Sequence, residues 1–141
     1  MRYLILLAIC FSTNSFSASY ATPYGEWRGQ AQYQAFVNTT SDPAAHVVTN
    51  LIVNVDPQGK VTGGSLENGC QLLGLAAPGL APTIVTLDVT VTNCKYAGLN
   101  RTYRGLLSVN EKDKFATFSL QAVQIAAGKA GTFNITSTMR R

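Results

Sequence analysis

The sequence predicts an all-β fold of about eight antiparallel strands in a small up-and-down barrel, with a two-layer β-sandwich as the alternative. Three observations carry this expectation. From Gly25 onward apolar and polar side chains alternate with period two, which puts successive side chains on opposite faces of a strand. Short turns rich in Gly, Pro, Asn and Asp separate the alternating runs. No long stretch shows the apolar spacing and end caps of a helix. Of the 141 residues, 46% are hydrophobic and 13% charged, against roughly a quarter charged in an average soluble domain. That content suffices to bury a core and is not the composition of a disordered chain. At roughly 150 residues per domain, the length implies a single domain.

The chain opens on a leader. Arg2 precedes an apolar run from Tyr3 to Phe11, which gives way to Ser12, Thr13, Asn14 and Ser15. This is the pattern of a secretory signal peptide, and small residues allow cleavage after Ser17, Ser19 or Ala21, with Ser19-Tyr20-Ala21 nearest the A-x-A form. The expected division is a signal peptide over 1–21 and a single all-β domain over 22–141. The apolar run is too short for a transmembrane helix, which needs about 20 such residues. Cys10 leaves with the leader, since Ile9 is not the small residue that a lipid-modified cysteine follows. Cys70 and Cys94 then remain in an oxidising setting, periplasmic or secreted, where they are expected to pair. A bridge closing about 25 residues restricts the unfolded chain by roughly 3 to 3.5 kcal/mol.

The first strand, Glu26 to Val37, alternates Trp27, Gly29, Ala31, Tyr33, Ala35 and Val37 against Arg28, Gln30, Gln32 and Gln34. The second sets Val47, Leu51, Val53 and Val55 against Val48, Asn50, Ile52 and Asn54. Asp56-Pro57-Gln58-Gly59 supplies the Pro and Gly of a tight turn, closing a hairpin onto Lys60 to Leu66. Cys70 to Ala76 follows, and Pro78-Gly79-Leu80-Ala81-Pro82 ends that ladder because proline has no N–H to give. Val85, Leu87, Val89 and Val91 then alternate with Thr86, Asp88, Thr90 and Thr92. Thr102 to Val109 and Phe115 to Ile125 flank the charged turn from Asn110 to Lys114, and Ala126 to Gly131 leads into Thr132 to Met139. Sequential hairpins favour the barrel, whose closure removes exposed strand edges. Gly63, Gly64, Gly74 and Gly105 suit the bends of a small barrel, and an interior of this size is filled by side chains.

Tyr24-Gly25-Glu26-Trp27-Arg28-Gly29 resembles the G-x-W opening of the first strand in lipocalin-like and avidin-like barrels. The resemblance implies that Trp27 plugs one barrel end. It covers three positions, and no later lipocalin or avidin motif follows, so ligand binding is not implied. In size, leader, single cysteine pair and strand meander the chain is also similar to small bacterial periplasmic inhibitors of lysozyme and to immunity proteins that neutralise cell-wall-degrading toxins. That similarity implies a protein partner.

Groups for catalysis are scarce. His46 is the only histidine and has no partner evident in the sequence. Asp42, Asp56, Glu111 and Asp113 fall in turns, Asp88 lies mid-strand on the wet face, and Glu67 precedes the turn dipeptide Asn68-Gly69. No nucleophile elbow, zinc-protease, phosphate-loop or calcium-loop motif occurs. Two cysteines and one distant histidine make no zinc set. No cofactor or metal is expected, and the formal net charge of +4, which includes Arg2, is too small a surplus to mark a nucleic-acid binder. A non-enzymatic protein-binding module is the expectation, in concrete form an inhibitor or immunity protein against an envelope-targeting hydrolase or toxin. The alternatives are a surface or fibre subunit and a small-ligand carrier barrel. The expected partner-binding residues are Lys95, Tyr96, Arg101, Tyr103 and Arg104, a concentration of Arg and Tyr beside Cys94. The Gly63-Gly64-Ser65 bend near Glu67 is a second candidate, where bare backbone could enter a cleft.

Overall fold

The structure, a computed structural model, describes residues 22–110, 112, 114–126 and 128–141. The leader expected over 1–21, with Cys10, and the turn carboxylates Glu111 and Asp113 lie outside the described residues.

Among the described residues nine strands follow in chain order: β1 (Gly25–Val37), β2 (Thr40–Ser41), β3 (Val47–Val55), β4 (Lys60–Gly64), β5 (Gln71–Pro78), β6 (Ile84–Thr92), β7 (Thr102–Asn110), β8 (Phe115–Ala126) and β9 (Lys129–Arg140). From β3 to β9 each strand pairs antiparallel with the next, β1 pairs with β3, and β9 returns to pair with β1 from Arg28↔Arg140 to Val37↔Gly131. The result is a closed eight-stranded up-and-down barrel, with β2 as an extra two-residue strip beside the end of β1. Closure decides between the two expected architectures, because a sandwich would leave β1 and β9 as edges.

The period-two pattern sorts the strands into a dry inside and a wet outside. Trp27, Tyr33, Tyr103 and Phe118 are fully buried together with Leu51, Leu99, Leu107, Leu120, Ile135 and Met139. Each such side chain contributes roughly 1.5–3 kcal/mol when removed from water. Four glycines inside the strands answer to close approach rather than to unusual dihedrals. A Cβ added to Gly29, Gly63, Gly74 or Gly105 would sit 2.3, 2.4, 2.1 or 1.7 Å from a carbonyl oxygen of the neighbouring strand. Bare backbone at these four points lets a narrow barrel coil tightly.

Each end is closed by its own device. Where β1 begins, the Trp27 indole N–H donates to the Pro23 carbonyl at 2.8 Å, and the Arg141 guanidinium lies 4.3 Å from the centre of the indole ring while donating to the Thr22 carbonyl. Trp27 therefore stands at a barrel end. At the other end, β4 stops at Gly64 rather than running to Leu66, because the Ser65 N–H turns back to the Cys70 carbonyl at 2.9 Å. The segments 93–101 and 65–70 share this rim.

Candidate protein-binding surface

The segment after Cys94 closes the rim. Cys70 and Cys94 form the expected disulfide, and both are buried. The Lys95 N–H donates to the Asn68 carbonyl at 2.8 Å, and the Cys94 N–H donates to the Asn100 side chain at 2.9 Å. A single helical turn, Ala97–Leu99, then lowers Leu99 into the barrel mouth, where it is 1% exposed. Two further contacts hold this lid down. The Tyr96 hydroxyl donates to Asp42, and the Tyr103 hydroxyl donates to the Leu99 carbonyl at 2.9 Å. The Arg101 side chain donates to the Gly98 carbonyl at 2.7 Å and rests 3.9 Å from the centre of the Phe133 ring.

The electrostatics follow from these contacts. The Tyr96 hydroxyl, aided by the Ala44 N–H, holds the Asp42 carboxyl below its ordinary range, and Asp42 in turn raises Tyr96. Burial pushes Tyr33 and Tyr103 upward. His46 is exposed, bonded to Ser41 at 3.0 Å and edge-on to Phe36.

The structure distributes the five expected partner residues among core, lid and surface. Tyr103 is wholly buried, in phase with Leu107 and Val109 on β7, and its side chain faces the core. Tyr96 and Arg101 are half-buried and tied into the lid. Only Lys95 and Arg104 of the five are exposed, and Arg104 stands on the outer wall, 3.7 Å from Asp88. An ion pair so open to water stabilises by no more than about 1 kcal/mol.

The second candidate, the bend before Glu67, projects instead. Ser65 is anchored by a 2.6 Å hydrogen bond shared with the buried Tyr33 hydroxyl, the Cys70 N–H donates to the Asn68 side chain at 3.2 Å, and Asn93 donates to the Gly69 carbonyl at 3.3 Å. Ser65, Asn68 and Cys70 are buried, yet between them Leu66 is 99% exposed and Glu67 is exposed beside it. Gly69 supplies the positive φ, +74°, that the return requires. At its foot a groove of about 640 Å³ opens among Ile52, Thr62, Gly63, Gly64, Leu66 and Gln71.

The adjoining wall of β5 to β7 carries Leu73, Leu75 and Leu106 in the open, 59%, 68% and 40% exposed. A second groove of about 650 Å³ runs there between Leu75, Ala77, Thr86, Asp88, Arg104 and Gly105. The outward Thr86, Asp88 and Thr90 of β6 lie between the leucines of β5 and Leu106 of β7. The sequence held the signal, since Leu72-Leu73-Gly74-Leu75 is apolar in both phases of the strand and one phase must face out.

Among the described residues no group of three His, Cys, Asp or Glu could hold a metal ion, and no helix is long and apolar enough to cross a membrane. The disulfide is compatible with an oxidising, extracellular-type compartment. Comparison with known proteins returns no match to a protein-family model, to a curated protein or to a solved structure.

Proposed function

We propose that this chain is a non-enzymatic protein-binding module of the periplasm or the secreted space, an inhibitor or immunity protein directed at a hydrolase or toxin that attacks the cell envelope. The observation that carries the reading is Leu66, fully exposed at the tip of a loop whose neighbours are buried, hydrogen-bonded and cross-linked. A braced loop loses little conformational freedom on docking, so more of its contact energy appears as affinity. An apolar knob with the Glu67 carboxylate beside it suits a cleft lined by apolar groups and a cation or N–H donor. The leucines of the β5–β7 wall extend the same contact area. A filled interior and a closed strand ladder favour this reading over a ligand carrier or a donor-strand fibre subunit.

The test is inhibition. Titrated against a panel of peptidoglycan-cleaving glycosidases and amidases, the exported protein is expected to inhibit one class stoichiometrically. The double variant Leu66→Ala/Glu67→Gln should inhibit 10- to 100-fold more weakly, about 1.4 to 2.8 kcal/mol, with an unchanged melting temperature, while Lys95→Ala inhibits as wild type does. Equal inhibition by the double variant would remove the loop from the contact.

A further inference from the structure

On the far side of the barrel from the leucine wall, we infer a binding groove for a neutral glycan chain. The strand register builds it. Gln32 lies opposite Thr136, and Thr136 opposite Ser119; two residues along the same strands, Gln30 lies opposite Thr138, and Thr138 opposite Thr117. All six side chains belong to the outward phase of β1, β9 and β8. They form two parallel rows across the strands, with steps of about 4.8 Å along a row and roughly 7 Å between rows, as sheet geometry sets them.

Between the rows runs an open groove of about 470 Å³, lined by these six residues and by Val48, Phe118 and Ser137. Its floor is held rigid. The Ser137 hydroxyl donates to the Gln30 carbonyl at 2.7 Å, and Gly29 allows β9 to approach so closely that a Cβ there would stand 2.3 Å from the Thr138 carbonyl oxygen.

The chemistry of the lining selects the ligand. Every polar side chain in the groove is a hydroxyl or a carboxamide, able both to donate and to accept. An anion finds no cation among them, a cation finds no carboxylate, and an apolar chain finds only Val48 beside the fully buried Phe118. A polysaccharide segment bearing uncharged hydroxyl and acetamido groups at a regular repeat matches on all three counts. Lying across the strands, it meets one pair of hydrogen-bonding side chains per strand. The one aromatic residue of the lining, Phe118, is fully buried and offers no stacking platform, so each contact is weak and binding grows with chain length. The groove is separate from the Leu66–Glu67 loop and does not depend on the proposed inhibition.

An isotopically labelled sample titrated with a β-linked N-acetylglucosamine tetramer tests this by NMR. Saturable shifts are expected at the side-chain amides of Gln30 and Gln32 and at the backbone amides of Thr117, Thr136 and Thr138. Gln32→Ala/Thr136→Val should weaken binding at least tenfold, Gln30→Ala should weaken it in the same direction, and Leu75→Ala on the opposite wall should leave it unchanged. A polygalacturonate oligomer of equal length should bind more weakly. Absence of saturable shifts at millimolar tetramer, shifts confined to other surfaces, equal binding by both groove variants, or shifts reproduced by simple dilution of the protein, which would mean a second copy occupies the face, would each overturn the inference.

Discussion

Tyr103 shows how a single side chain serves both the core and the lid. Its ring fills the barrel among Leu99, Leu107 and Phe118, and its hydroxyl reaches the Leu99 carbonyl at 2.9 Å. Burial raises its pKa, and Tyr33 is raised for the same reason. The unfolded chain ionises tyrosine near pH 10, whereas the folded barrel resists the charge. The stability these groups contribute is therefore whole below about pH 10 and falls as the pH rises past it, by up to about 1.4 kcal/mol per pH unit for each tyrosine. Denaturant midpoints measured across alkaline pH should stay level and then drop steeply. Tyr103→Phe should blunt that drop while costing about 1 kcal/mol at neutral pH for the lost hydrogen bond. Tyr103 was legible in the sequence as an inward residue, two positions before Gly105 and four before Leu107. Its company of Arg and Tyr suggested an interface instead, because composition reports what a residue could contact and only the strand phase reports where it points.

At the scale of the element, the strands were legible nearly to their ends because one face of each meets the core and the other meets water. β3 runs over Val47–Val55, the span its alternation marks, and β8 and β9 extend the expected hairpin by a few residues at the rim. What alternation cannot show is the distance between neighbouring backbones. Gly105 makes the point, since an added Cβ would lie 1.7 Å from the Ser119 carbonyl oxygen of β8. Gly105→Ala must therefore push two paired strands apart and is expected to cost about 3 kcal/mol or more, lowering the melting temperature by roughly 10 °C. Gly64→Ala, whose Cβ would meet the Cys70 carbonyl oxygen at 3.0 Å, should cost less. Calorimetry of the two variants separates a steric limit from a general dislike of alanine in strands. The lid was not legible at all: nothing in Tyr96-Ala97-Gly98-Leu99 announces that a tyrosine will reach Asp42, more than fifty residues earlier in the chain.

For the whole molecule, the disulfide is the covalent bond that both rim segments share, beside the Lys95–Asn68 and Asn93–Gly69 hydrogen bonds. It ties the lid after Cys94 to the foot of the projecting loop at Cys70, whereas the Tyr96–Asp42 contact ties only the lid to the β2 side of the rim. Two perturbations should accordingly separate. Because Asp42 titrates below its ordinary value in the fold, its contribution is present above the unfolded value of about 3.9 and is lost as the pH falls through the lower folded one. Acid, or Asp42→Asn at neutral pH, is expected to speed hydrogen exchange over 93–101 and leave the Leu66–Glu67 loop protected. Cys70→Ser/Cys94→Ser should lower global stability by about 3 kcal/mol and speed exchange over both 93–101 and 65–70. If the projecting loop owes its rigidity to this cross-link, inhibition by the serine variant should weaken beyond what its melting temperature accounts for, while the Asp42→Asn protein inhibits as wild type does. Equal loss in the two variants would mean that the lid, rather than the loop, carries the contact.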